Sequence, residues 1–185
     1  MTNINLSKSQ TAIKLKSKRF FDKRGFFQEL FLKKKYNLNI KFTALAYSKK
    51  NVIRGMHFQL KNKQTKLIHV VRGTILDVVV NLKSNSKNFG KKSYFLLKEG
   101  DILFIPKFYA HGYECLTKKS IVLYHLEKYR DPKNESGIPF DDKKLKIRWK
   151  TKNPIISKRD MSHNSFENLK NFKRTTIKDY NYHKG

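Results

Sequence analysis

The chain has 185 residues, with 42 Lys and Arg against 14 Asp and Glu, a formal net charge of +28. Its single cysteine, Cys115, excludes an internal disulfide and a multi-thiolate metal site. No apolar run approaches the ~20 residues of a membrane-spanning helix, and the start MTNINLSKSQ lacks the apolar core of a secretory signal. With 14 Phe and 9 Tyr the composition is that of a globular chain rather than a disordered one. The expectation is one cytoplasmic domain with a basic surface, its core spanning about 20–160. The charge has two readings, attraction to a polyanion or phosphorylated ligand, and plain lysine-rich composition. The lysines are scattered rather than gathered on one motif, which favours composition.

Taken in chain order, Leu30–Asn37 suits a short helix. From about residue 40 to 127 the pattern turns strand-like. Segments Phe42–Ser48, Lys66–Val71, Ile75–Leu82, Lys91–Leu97, Asp101–Ile105, Gly112–Leu116 and Ile121–Glu127 are short and rich in β-branched and aromatic residues. Turn signals such as Arg72-Gly73 and Glu99-Gly100 separate them. Turns every 8–12 residues predict an antiparallel sandwich or barrel. The run DVVVN at Asp77–Asn81 does not alternate, so that strand should be covered on both faces. Asp131–Asp142, with two of the four prolines, reads as a long ordered loop or flap. Residues 162–185 form a polar, basic tail in which Phe166, Leu169 and Phe172 recur at helical spacing.

Three clusters carry chemistry-capable side chains. Arg54-Gly55-Met56-His57-Phe58-Gln59 lies at a strand edge, with Lys66 nine residues past His57. Gly100–Pro106 is followed by Ala110-His111-Gly112, and Tyr124 and Asp160 come late. Two or more strands separate His57 from His111 along the chain, and a barrel could bring both into one cavity. A metal is disfavoured, because His57 has no neighbouring His or Glu and Lys66 would repel a cation.

The metal-free alternative is proton transfer. A histidine base can be fixed by a carboxylate such as Asp160 and answered by a tyrosine acid, while a lysine ammonium stabilises an enolate oxygen. Each of these residues also has a plainer reading, as a hydrogen-bonded wall histidine or a packed tyrosine. Cys115 reads as buried and inert, His69 as a wall or surface residue, and His125, His163 and His183 belong to no motif.

RGMHFQ, QTKLIHVVRGTILDVVVNLK, GDILFIPKFYAHGY, IVLYHLEKY and PIISKRD follow in an order and spacing that resembles the dTDP-4-dehydrorhamnose 3,5-epimerase family of the cupin superfamily. DKRGFFQELF looks like that family's first motif. The resemblance implies an all-β, cupin-type antiparallel jelly roll with short peripheral helices. It also implies a homodimer that exchanges N-terminal strands and works without metal or cofactor on a nucleotide diphosphate-sugar. It casts His57 as general base, Asp160 as its carboxylate partner and Tyr124 as general acid. Lys66 and His111 line the sugar, with Asp77 a buried acid beside them. Arg24, Glu29, Arg54, Glu135 and Arg159 fall on positions that bind the nucleotide diphosphate-sugar.

The chain departs from the pattern on the base side. Phe42 and Ala44 stand where a Gln-x-Asn pair is common, and Arg130 where a second aromatic follows Tyr129. Asn81 replaces an Asp, and Phe108 a Gly. Other readings are a single-carbon epimerase or ketoisomerase, a non-catalytic sugar-nucleotide-binding barrel, and a metal-dependent oxygenase. Nucleic-acid binding lacks the interleaved aromatics and basic residues that stack bases.

Overall fold

Two five-stranded antiparallel sheets face each other in the computed structural model, which describes residues 4–61 and 63–169. One sheet runs, in spatial order, β1 (Ile13–Lys16), β9 (Asp101–Ile105), β6 (Lys66–Arg72), β11 (Lys119–Leu126) and β4 (Phe42–Lys49). The other runs β12 (Glu135–Gly137), β5 (Ile53–Gln59), β10 (Tyr109–Cys115), β7 (Thr74–Asn81) and β8 (Lys92–Lys98). This is the antiparallel sandwich expected from the spacing of turns, in the jelly-roll form that the resemblance implies, arranged as two sheets rather than one closed ladder. Gly73 and Gly100 both adopt φ +87°, the left-handed backbone their turns require.

Apolar side chains fill three layers. Between the sheets lie Ile68, Val70, Ile75, Val79, Leu97, Leu103, Ile105, Tyr113 and Val122. The alternate residues of β7, Leu76, Val78 and Val80, pack outward against Ile138, Leu145, Ile147 and Leu169. The outer face of the first sheet buries Leu67, Ile102 and Phe104 under Leu6, Tyr36 and Leu38. DVVVN is therefore covered on both faces, as its lack of alternation predicts.

Smaller elements depart from expectation in instructive ways. The helix over Leu30–Asn37 contracts to α1 (Lys33–Tyr36), closed by Asn37 in the left-handed conformation. Asp131–Asp142 is more than a loop. It contains a 3-10 turn at Pro132–Asn134 and β12, which adds an edge strand to β5. β12 reads ESG, too short and polar to signal a strand on its own. A hairpin of β2 (Arg19–Asp22) and β3 (Gly25–Gln28) pairs only with itself, outside both sheets. It exposes Phe20, Phe21, Phe26 and Phe27. Near the tail, residues 166–169 are helical, with Phe166 stacked on Phe89 at 5.3 Å and Leu169 buried. Phe172 lies outside the described residues.

Candidate active site

β5 and β10 are neighbours, so His57 and His111, with four strands between them along the chain, are direct cross-strand partners. The jelly-roll crossover brings them together, since β5 skips four strands before it meets β10. A register shift between His111 and Tyr113 pairs Tyr113 with Arg54. That extra residue puts Arg54 and His57, three apart in sequence, on the same face. Across β12 the partner of His57 is Gly137, and that of Gln59 is Glu135. The opposite sheet supplies Lys66 on β6 and Tyr124 on β11, and the β6–β11 ladder pairs Lys66 with Leu126 and Tyr124 with Ile68.

Asp160 reaches His57 because two local devices pin its segment. Val52 and Ile155 form a parallel bridge, and Ile53 donates to the Ile155 carbonyl at 3.0 Å. Three residues on, α2 (Lys158–Met161) begins under Ser157, whose hydroxyl accepts from the Asp160 N–H at 3.1 Å. One carboxylate oxygen of Asp160 then lies 2.8 Å from His57 Nε2, and the other accepts from the Gly55 N–H at 3.0 Å. Burial opposes charge on Asp160, yet the hydrogen bonds from His57 and Gly55 outweigh it and lower its pKa to about 2. The carboxylate is ionised at neutral pH, so His57 Nε2 carries the proton and Nδ1 keeps the lone pair.

His111 has a carboxylate of its own. Its Nε2 lies 2.8 Å from Asp77, both side chains being buried. Burial raises the Asp77 pKa, with His111 opposing, and burial lowers that of His111. The His111 ring stands edge-on to Tyr124 with centroids 5.9 Å apart. Burial pushes the Tyr124 pKa well above its ordinary value, so its hydroxyl stays protonated as an acid must. Lys66 donates to the His57 carbonyl at 3.4 Å. Burial lowers its pKa to about 8 against the pull of Glu135 and Asp77.

Arg54 reaches the Tyr47 carbonyl and the Ser48 hydroxyl, which in turn bonds Tyr113 at 2.8 Å. Glu135 collects Arg130 at 3.0 Å and Arg159 at 3.2 Å. Burial disfavours its charge, but the two guanidiniums prevail and hold its pKa below the usual range. Arg24 and Glu29 stand apart. Arg24 sits at the tip of the β2–β3 hairpin, 84% exposed and paired with Asp22, and the Glu29 carbonyl accepts from Ser17. Among the described residues, neither makes a hydrogen bond or ion pair with the other candidate site residues.

Sequence reading missed His163, whose ring stands edge-on to His57 at 5.7 Å. Its spacing of three from Asp160, the reach of one helical turn, was the available signal. His69 and His125 also meet, with centroids 5.2 Å apart, on the outer face of the first sheet. Of the departures on the base side, Phe42 stacks on Tyr129 at 6.1 Å. Phe108 takes φ +69°, the backbone a glycine adopts without strain.

A carboxylate-backed histidine on one sheet, with a protonated tyrosine and a lysine on the sheet facing it, equips the interior to take a proton beside a carbonyl and return one. That places the chain among the jelly-roll isomerases. The profile of the dTDP-4-dehydrorhamnose 3,5-epimerase family matches residues 8–168. The enzyme of that name from Methanothermobacter thermautotrophicus is 35% identical over 159 residues, covering 80% of this chain and 86% of its own. A crystal structure of the Bacillus anthracis enzyme with TDP and PPi bound superposes with a TM-score of 0.80 at 35% identity, covering 84% of this chain and 94% of that one. The Legionella pneumophila enzyme in complex with dTDP-4-keto-L-rhamnose gives a TM-score of 0.80 at 28% identity, covering 89% and 93%. The chain belongs to the dTDP-4-dehydrorhamnose 3,5-epimerase family.

Proposed function

We propose that this chain epimerises C3 and C5 of a nucleotide-linked 4-keto-6-deoxy sugar, converting dTDP-4-dehydro-6-deoxyglucose to dTDP-4-dehydrorhamnose. The C4 ketone acidifies the C–H bonds on either side of it. His57 Nδ1 takes one of these protons, and the electron pair of the broken bond moves onto the C4 oxygen as an enolate. Lys66 neutralises that oxygen in a site drier than water. Tyr124 then gives its proton to the opposite face of the carbon and inverts it. Asp160 holds the imidazole in the productive tautomer and stabilises the imidazolium that forms. His111, held by Asp77, lines the sugar, while Arg54, Glu135 and Arg159 take the nucleotide diphosphate side. The His57–Asp160 hydrogen bond of 2.8 Å carries this reading.

The same reading makes the active form a homodimer. β4 is an edge strand that exposes Leu45 and Tyr47, and the hairpin adds four exposed phenylalanines. Such apolar area is what a second copy would cover. An exchanged hairpin would carry Arg24 and Glu29 to the partner's sugar-nucleotide site, which explains why they lie idle within one chain. The free, buried Cys115 and a nucleotide-linked substrate support a cytoplasmic setting. Incubation with dTDP-4-dehydro-6-deoxyglucose and a panel of other nucleotide-linked keto sugars, followed by NMR of the products, tests the proposal. Inversion at C3 and C5 of the dTDP sugar is expected. Inversion at one carbon alone selects a single-carbon epimerase, and unchanged sugars throughout contradict the reading.

A further inference from the structure

Among the described residues, one group of side chains has the spacing of metal ligands: His57, Asp160 and His163. His57 Nε2 and His163 Nε2 lie 2.8 Å and 3.8 Å from the same Asp160 oxygen, and the three ligand atoms fall within 4.8 Å of one another. An ion can therefore stand within about 2.4 Å of all three, against the roughly 2.0–2.2 Å of zinc–imidazole and zinc–carboxylate bonds.

A second observation is independent of that spacing. The His163 side chain is only 10% exposed, and its Nε2 is buried with no hydrogen-bond partner. A buried nitrogen aimed at a carboxylate without bonding it is a ligand position left open. Its place is built by Gly137, the cross-strand partner of His57. A Cβ at that position would collide with the His163 ring. The neighbouring cations are drawn elsewhere, Arg159 to Glu135 and Lys66 to the His57 carbonyl.

We propose that His57, Asp160 and His163 form an inhibitory site for zinc. Two imidazoles and one carboxylate, with water completing a tetrahedron, suit this borderline ion and not Mg²⁺ or Ca²⁺. Inhibition follows from counting protons. Neutral His57 holds one proton, on Nε2, and works through the lone pair on Nδ1. Zinc takes the Nε2 lone pair, so the one proton must move, through solvent, to Nδ1. The base atom is then occupied, and no proton is gained or lost by the ring. Asp160 gives its electron pair to the ion instead of accepting from His57.

Isothermal titration of chelator-treated full-length protein with zinc chloride tests the site directly, whatever the substrate proves to be. One ion per chain is expected for the unsubstituted protein, with binding at least about tenfold weaker in His163→Ala. Circular dichroism checks that the variant is folded, and His163→Asn replaces it if it is not. The inhibitory half rests on the epimerase reading. There zinc should stop deuterium exchange by the unsubstituted enzyme at concentrations that leave His163→Ala at its own zinc-free rate, and magnesium should affect neither. Absence of binding, or equal binding by the variants, overturns the site. Binding without loss of exchange overturns the inhibition.

Discussion

His57 and His111 face each other across the β5–β10 ladder, yet each is held by a different carboxylate, Asp160 and Asp77 respectively, at 2.8 Å. Two adjacent histidines thus have separate anchors and separate environments, one half-exposed to the cavity and one sealed. Asp160→Asn should lower turnover by about 10²–10⁴ while leaving the fold intact, because an amide does not fix the tautomer of His57. Asp77→Asn should cost stability as well, since the Asp77–His111 pair is buried. Steady-state kinetics reads the loss of turnover, and thermal melts at neutral pH read the stability cost of each variant.

The same carboxylate makes an acid-stability prediction. The pKa of Asp160 is about 2 when folded, against 3.8 as the ordinary value. A lowered carboxyl stabilises the fold fully above its unfolded pKa and loses that contribution as pH falls through the folded one. Melting temperatures should show Asp160 adding stability above about pH 4, and the gap between the unsubstituted protein and Asp160→Asn closing towards about pH 2.

Tyr124→Phe separates proton removal from proton return. His57 and Asp160 remain, so exchange of the sugar's protons with solvent should persist, while inverted product falls by about 10² or more. NMR in deuterated water reads both quantities in one sample. Equal loss of exchange and inversion contradicts the assignment of Tyr124 as acid.

Lys66 sets the alkaline limb. The proposed mechanism uses its charge to stabilise the enolate, and burial lowers its pKa to about 8. Activity should therefore fall as pH rises through about 8, and Lys66→Gln should be about 10²–10³ slower with that limb removed. Stability has the opposite sense. A folded pKa below the ordinary 10.5 means that the unfolded chain binds more protons between the two values, so this group makes the fold more stable as pH climbs from about 8 to 10.5. Lys66→Met should melt higher than the unsubstituted protein at pH 7 and be inactive.

Phe21→Ser with Phe27→Ser tests the dimer. These are the two most exposed phenylalanines of the hairpin, at 72% and 67%. Sedimentation should shift from dimer to monomer, with activity lost although the His57–Asp160 dyad is untouched. An active monomer contradicts the exchanged hairpin.

How much was legible in the sequence depended on how local each signal was. Seven strand segments and their glycine turns were readable, because alternation and positive-φ demands act within a few residues. β12 was not, since three polar residues become a strand only when β5 offers an edge. His57, Tyr124, Lys66 and Asp160 are singled out by motif order, and the structure brings His57 to Asp160. Their pairing was invisible to spacing, being made over 103 residues by the Val52–Ile155 bridge and the Ser157 cap. His163 was passed over because its spacing of three from Asp160 says nothing of the slot that Gly137 opens from another strand. Of the +28 charge, the proposed function uses only a few groups, among them Lys66 and the arginines Arg54 and Arg159.

The central claim is that His57 removes the sugar's protons and Tyr124 returns them from the other face. It is tested most directly by NMR of dTDP-4-dehydro-6-deoxyglucose in deuterated water with the unsubstituted enzyme and His57→Ala. Deuterium at C3 and C5 of inverted product, with none at either carbon for a folded His57→Ala, is the predicted result. Deuterium entering at the same rate with both proteins would contradict it.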